Sequence, residues 1–130
     1  MKPGQPIVYR TDFMATTQRT IFHKLDDLLH KTGVPAKFKR GHLVALKLHF
    51  GERGNTAYIR PIFVRHLVEM VRNSGAHPFL TDTNTLHVGD RTNSAAHIER
   101  AILNGFDFAV AGAPKTFSGD AEPVNTRGRP

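Results

Sequence analysis

The sequence predicts an α/β domain in three layers, with helices on both faces of a mostly parallel four-stranded sheet. Stretches with the two-residue repeat of a strand alternate along the chain with stretches that have the spacing of an amphipathic helix. Glycines follow the predicted helices and are expected to end them. Strands joined through helices pair in parallel by right-handed crossovers, so this alternation indicates an α/β sheet.

The first predicted elements are a short strand and an amphipathic helix. Pro6–Tyr9 is expected to form the strand, and Asp12, Thr16 or Thr17 is expected to cap a helix that runs to about Lys31. The apolar stripe of this helix consists of Ile21, Phe22, Leu25, Leu28 and Leu29.

The stretch from Leu43 to Pro61 has the pattern of a strand, a glycine-containing loop and the start of a helix. Apolar residues at positions 44, 46, 48 and 50 alternate with Ala45, Lys47 and His49, so one face of the strand is apolar and the other is basic. A helix is predicted over Pro61–Ser74, since proline suits the first helical position.

The second half of the chain repeats this alternation. A third strand is predicted over His77–Thr81, a helix begins at Asn93 or Ser94 and ends at Gly105, and a fourth strand covers Phe106–Ala111. The helix residues expected to face the sheet are Ile98, Ala101 and Ile102.

The predicted domain spans residues 1–114, and residues 115–130 are predicted to form a flexible tail. This last segment has little apolar periodicity and contains several proline and glycine residues. A four-stranded parallel sheet would leave exposed edges, which such sheets usually cover. We therefore expect an oligomer or a part of a larger assembly.

Composition narrows the class of protein. The 130 residues suffice for one domain with a core, and no apolar run indicates a membrane span or a secretory signal. The chain has no cysteine, so it supplies no disulfide, thiol nucleophile or cysteine-ligated cluster, and a cytoplasmic location is expected. The net charge of +7 favours anionic partners such as phosphorylated metabolites, carboxylates or nucleic acid.

Two basic residues on one strand are the first candidates for a site. Lys47 and His49 leave the same face, and a lysine inside a parallel strand needs an ionic partner or an anionic ligand. Asp82, at the end of the next strand, is the natural partner. The sequence favours two roles for Lys47 equally: a structural ion pair with Asp82, or the binding of a ligand.

The loop that follows this strand resembles phosphate-binding loops in outline only. Backbone N–H groups around Gly51 and Gly54 can hold an anion near a helix N-terminus, and Asn55, Thr56 and Arg60 would add side-chain donors. The loop lacks the known dinucleotide and P-loop motifs. A simple turn, capped locally by Asn55 and Thr56, is the alternative that the spacing slightly favours.

A second polar loop begins at Asp82 and Asn84, and both loops are expected at the same edge of the sheet. The predicted ligand-binding set is Lys47, His49, Gly51, Gly54, Asn55, Thr56, Arg60, Asp82 and Asn84. A divalent metal on His49, Glu52, Asp82 or His87 is the weaker alternative, since no ligand pair has diagnostic spacing. No catalytic residue is assigned, and whether the chain is an enzyme stays open.

The stretches VALKLHFGERGNTAYIRP, HPFLTDTNTLHVGDRTNSAAHIERAILNGF and VAGAP resemble the N-terminal part of domain-of-unknown-function family 362, over roughly Ile7–Pro114. Members of this family are often labelled iron–sulfur-centre proteins. Longer members carry a ferredoxin-like cysteine segment, which implies a 4Fe–4S cluster for them. This sequence departs from them there, because it has no cysteine and continues past Pro114 as a short segment.

Three functions follow as expectations. The favoured one is a module that binds a small anionic ligand or cofactor at the loops that follow the strands. The second is an interaction subunit, self-associating or docked on an iron–sulfur redox partner. The third is a basic nucleic-acid-binding domain, which the sequence favours less because its phenylalanines fall in buried patterns.

Overall fold

The structure, a computed structural model, describes residues 6–86 and 88–118 of the chain. Its strands are β1 (Leu43–Lys47), β2 (His77–Thr83) and β3 (Lys115–Ser118), which pair in parallel in the order β1-β2-β3. Its helices are α1 (Ile21–Thr32), α2 (Pro61–Asn73), α3 (Ser94–Leu103) and α4 (Phe108–Ala111), and a 3-10 turn covers Pro35–Lys37. The α/β class is confirmed.

The core lies between the sheet and the two long crossover helices. Val64 and Val68 of α2 and Ala101 of α3 pack with Leu80 of β2 and with Phe50, all of them buried. Phe50 also meets Phe106 edge-on, with 5.1 Å between the ring centroids. This core holds the ends of β1 and β2 in a fixed position, and the loops that follow them start from there.

The expectation of three layers is wrong for the described residues, because the helices lie on one face of the sheet. On β1, the residues at 44 and 46 are half-buried, whereas Leu43, Ala45 and Lys47 are exposed. Both crossovers run in the same direction along the sheet. When two successive crossovers have the same handedness and move along the sheet in the same direction, their helices lie on the same face of the sheet.

The expected first strand is also absent. Pro6–Tyr9 has no regular secondary structure and pairs with no described strand, and Ile7 and Val8 are exposed. The next helix begins later than predicted: Thr20 caps α1 by accepting from the N–H of His23. The side chain of Phe22 then packs on Phe63 of α2, so α1 adds to the helix layer and does not cover the other face of the sheet.

The last strand lies one segment later than the sequence predicted. The predicted strand Phe106–Ala111 is not formed: its last four residues, Phe108–Ala111, are the short helix α4, because Asp107 accepts hydrogen bonds from the N–H groups of Ala109 and Val110. Lys115–Ser118, predicted as the beginning of the tail, forms β3. The sheet therefore has three described strands rather than four, and the rest of the predicted tail, residues 119–130, lies outside the described residues.

The boundaries of the other elements follow the sequence closely. Pro61 begins α2, and Asn93 caps α3 by accepting from the N–H of Ala96. β1 ends at Lys47, three residues before the predicted end. Within residues 6–86 and 88–118, no helix combines the length and the hydrophobicity needed to cross a membrane.

Candidate functional site

The two polar loops lie side by side at the carboxyl ends of β1 and β2, as the sequence predicted. The first loop covers residues 48–60 and the second covers residues 84–93. Arg53 Nε lies 3.2 Å from Asp90 Oδ2, and Arg91 donates to Glu52, so two ion pairs connect the loops. We call this region the carboxyl edge.

Asp82 occupies the centre of the carboxyl edge and is buried. Its Oδ1 accepts from Lys47 Nζ at 2.5 Å and from the N–H of Thr83 at 2.9 Å. Its Oδ2 faces Arg91 Nη1 at 3.7 Å and His97 Nε2 at 3.8 Å. Lys47 remains 60% exposed although it pairs with this buried carboxylate, so the ammonium also faces solvent.

The register of the sheet shows how this pair forms. Lys47 lies opposite Thr81, so it belongs to the exposed face, while Asp82 belongs with Leu80 on the covered face. Lys47 is the last residue of β1, and its long side chain reaches Asp82 at the end of the sheet. The ion pair expected from the sequence is thus present, between opposite faces of the sheet.

His97 on α3 is fully buried beside Asp82. Its Nδ1 lies 3.0 Å from Asn84 Oδ1, which can only accept, so Nδ1 carries the proton. Its Nε2 has no hydrogen-bond partner among the described residues. Burial lowers the pKa of His97, while the nearby carboxylate of Asp82 acts in the opposite direction.

Asp90 joins two arginines at the outer side of the edge. Its Oδ2 accepts from Arg53 and from Arg100. The hydrogen bond from Arg53 lowers the pKa of Asp90, partial desolvation opposes this, and Arg100 adds to the lowering. Asp90 is therefore ionised at neutral pH and holds the second loop against the first.

Gly51 is a packing requirement of the first loop. Its φ is +87°, and a Cβ there would lie 2.6 Å from both Asn104 Nδ2 and Tyr58 Cδ1. The Asn104 amide in turn donates to the carbonyl of Phe50 at 2.8 Å. Gly54 has a similar φ of +74°, but a Cβ there would have no heavy atom within 4 Å.

The remaining predicted site residues of the first loop either form hydrogen bonds within the loop or are exposed. His49 Nδ1 accepts from the N–H of Gly51 at 3.0 Å, so the neutral ring carries its proton on Nε2. Asn55 accepts from the N–H of Ala57 at 2.7 Å, which is the local turn considered as the alternative to anion binding. Thr56 is exposed on the same loop.

Arg60 is the last residue of the first loop and takes no part in the ion pairs of the carboxyl edge. It occupies the N-cap position of α2 without a side-chain capping hydrogen bond, and it lines an apolar cavity between α1 and α2. The structure thus places all the predicted site residues on the two loops or the strand ends that carry them: Lys47, His49, Gly51, Gly54, Asn55, Thr56, Arg60, Asp82 and Asn84.

His97 was not predicted from the sequence, and Asp90, Arg91 and Arg100 were not among the predicted site residues. The predicted buried stripe of α3 was Ile98, Ala101 and Ile102, whereas the buried residues of that helix are His97 and Ala101, and Ile102 is 45% exposed. Residues four apart share a helix face, so a stripe through His97 was equally compatible with the pattern.

No group of three or more histidine, aspartate or glutamate side chains is arranged to hold a metal ion within the described part of the chain. His49, Glu52 and Asp82 therefore do not form the alternative metal site, and His87 lies outside the described residues. The carboxyl edge is instead a network of alternating charges. Four cationic side chains (Lys47, Arg53, Arg91, Arg100) face three carboxylates (Glu52, Asp82, Asp90).

Residues 44–126 match the family described as Domain of unknown function (DUF362). The chain belongs to this family. The match runs from the second residue of β1 through α2, β2, α3, α4 and β3, so both loops of the carboxyl edge lie within the DUF362 region. The description assigns no activity, and the iron–sulfur association implied by the resemblance stays a prediction.

The two other comparisons give no relative for the DUF362 chain. No curated protein matches it. No solved structure matches it either.

Proposed function

We propose that this DUF362 chain binds a small anionic ligand at the carboxyl edge. The observation that carries the proposal is the excess of cationic over carboxylate groups in the ion-pair network, with the surplus at its solvent side. Lys47 is 60% exposed and Arg53 is 79% exposed, whereas Asp82 is 7% exposed. An anion that approaches the edge therefore meets Lys47 and Arg53 first, whereas Arg91 and Arg100 are less exposed than their carboxylate partners Glu52 and Asp90.

Three side chains of the carboxyl edge keep N–H groups that can donate toward solvent. The Lys47 ammonium has three N–H bonds and donates one to Asp82, so two can serve a ligand. His49 is exposed and, in the neutral ring, presents Nε2–H. Arg53 donates its Nε–H to Asp90, which leaves the terminal N–H groups of the guanidinium for a second anion.

This donor set suits a ligand with several acceptor oxygens. Phosphate, pyrophosphate and tricarboxylate groups accept hydrogen bonds in several directions and carry more than one negative charge. Asp82 has a positioning role in this proposal, since it holds Lys47 at the end of β1. The proposal names a binding function and no reaction.

The test is a calorimetric titration at low ionic strength with pyrophosphate and with citrate. Lys47→Met keeps the length of the side chain and removes its charge, and Lys39→Met is the control, an exposed lysine on the connector before β1. We expect one of the two ligands to bind the wild type and the Lys39→Met variant with the same affinity. The Lys47 variant should bind about tenfold more weakly, the equivalent of about 1.4 kcal/mol.

Two outcomes would overturn the proposal. One is that neither ligand produces saturable binding to the wild type. The other is equal weakening by Lys47→Met and Lys39→Met, since that result would show an effect of net charge alone. Circular dichroism and urea midpoints should be measured on both variants, because Lys47→Met also removes a partner of the buried Asp82.

A protein partner on the bare sheet face is the second candidate function. Leu43 is 77% exposed, and Ala45, His77 and Thr116 are exposed on the same face of the sheet. Parallel sheets are normally covered on both faces, which favours a covering partner or a second copy. Light scattering of the purified chain tests this candidate: a monomer at high concentration argues against self-association, and capture of a redox protein would support the docking role.

A further inference from the structure

An apolar cavity lies beside the last residues of the first loop, with Tyr58 and Ile59 in its lining. It has a volume of about 580 Å³ and opens between α1, α2 and the segment before α1. Helix α1 contributes Ile21, Leu25 and Leu28 to its wall, and α2 contributes Phe63 and Leu67. The volume falls within the roughly 300–1,000 Å³ that small-molecule sites occupy.

Two arginines complete the lining of this cavity. Arg10 comes from the segment before α1, and Arg60 occupies the N-cap position of α2. Both residues are exposed, and neither guanidinium has an ion-pair partner among the residues that the structure describes. The arginines of the carboxyl edge differ in this respect, since Arg53, Arg91 and Arg100 all pair with carboxylates.

We infer that this cavity binds a single-chain amphipathic anion, a long-chain carboxylate whose hydrocarbon tail lies between α1 and α2. Unpaired guanidiniums beside an apolar wall match one anionic headgroup attached to a hydrocarbon body. A bidentate carboxylate suits the planar fork of arginine. The positive end of the α2 dipole lies at Arg60 and favours the same sign of charge.

The chemistry of the wall argues against other small ligands. A nucleotide needs several polar partners for its base and sugar, whereas most of the lining side chains here are hydrocarbon. The exposed side chains of Phe13 and Ile59 extend the apolar surface beside the cavity, which suits a tail longer than a few carbons. This site is separate from the proposed anion site, so either can fail without the other.

The test uses decanoate, 1-decanol and butyrate with the full-length chain, each measured by calorimetry below its solubility or micelle limit. We expect saturable binding of decanoate, no detectable binding of butyrate, and at least tenfold weaker binding of decanol. The double variant Arg10→Ala/Arg60→Ala should reduce decanoate affinity to that of decanol. The matched control Lys37→Ala/Lys39→Ala removes two exposed charges from the connector before β1 and should leave decanoate affinity unchanged.

A second variant tests the position of the tail. Leu28→Trp adds bulk inside the cavity wall and should abolish binding of both decanoate and decanol, with folding verified by circular dichroism. Equal affinities for decanoate and decanol, absence of binding to either, or equal losses in the two double variants would overturn the inference. It would also be overturned if light scattering showed a dimer that Leu28→Trp dissociates, because a second copy would then occupy the cavity.

Discussion

Two glycines in the first loop provide a matched test of how the carboxyl edge is built. Gly51 and Gly54 both have a left-handed φ, +87° and +74°, so alanine at either position carries the same backbone penalty. That penalty is roughly 1–2 kcal/mol. Only Gly51 is also packed, because a Cβ there would lie 2.6 Å from Tyr58 Cδ1 and from Asn104 Nδ2.

The expected difference follows from these contacts. Gly54→Ala should lower the free energy of unfolding by roughly 1–2 kcal/mol, since a Cβ at this position meets open space. Gly51→Ala must also displace both Tyr58 and Asn104, and overpacking of this kind costs roughly a further 1–3 kcal/mol. The Gly51 variant should therefore lose about 2–5 kcal/mol.

Urea denaturation followed by circular dichroism measures both losses, with the midpoint and the slope fitted for each variant. Asn104→Ala combined with Gly51→Ala gives a further check, because removal of the amide should relieve part of the clash. If the two single glycine variants are equally destabilised, the packing of Tyr58 and Asn104 on the first loop is not as described, and the reasoning fails.

Three further measurements address the core, the buried histidine and the α4 cap. Burial lowers the folded-state pKa of His97 below its unfolded value near 6.5, so the unfolded chain binds more protons. At pH values below about 6.5, the free energy of unfolding should therefore decrease by up to about 1.4 kcal/mol for each pH unit. An equal dependence of the free energy of unfolding on pH in His97→Gln would contradict this. Asp107→Ala removes two cap hydrogen bonds and should cost about 1 kcal/mol in urea denaturation, whereas Asp107→Asn should cost less. Phe50→Ala should cost roughly 3–5 kcal/mol by the same assay, and a loss below 1 kcal/mol would place Phe50 outside the core.

The local signals in the sequence were sufficient for the elements that carry the site. Alternation through Leu46 and Phe50 identified β1 and its covered face, and Pro61 and Asn93 fixed the starts of α2 and α3. The Lys47–Asp82 pair could be predicted because the two opposite charges lie at the ends of neighbouring strands; the buried member that requires a counter-charge is Asp82, at 7% exposure, and not Lys47. Membership in DUF362 was also predicted from the two loops and is confirmed by the match over residues 44–126.

Short apolar runs could not be assigned from the sequence. Phe106–Ala111 has residues that suit either a strand or a buried helix turn, and the hydrogen bonds that Asp107 accepts from Ala109 and Val110 favour the helix α4. Lys115–Ser118 has a single large apolar residue, Phe117, so only pairing with β2 identifies it as a strand. Pro6–Tyr9 shows the reverse, since strand-like residues without a described partner strand form no strand.

The sequence by itself determined the class of fold, the starts of β1 and β2, and the polar character of the loops that follow them. Tertiary structure decided which groups meet: His97 beside Asp82, Arg91 on Glu52, and Arg60 in the lining of an apolar cavity. The physical reason is the distance along the chain over which each of these interactions acts. Backbone pattern and capping act within a few residues, whereas charge pairing and burial depend on where crossovers place distant segments.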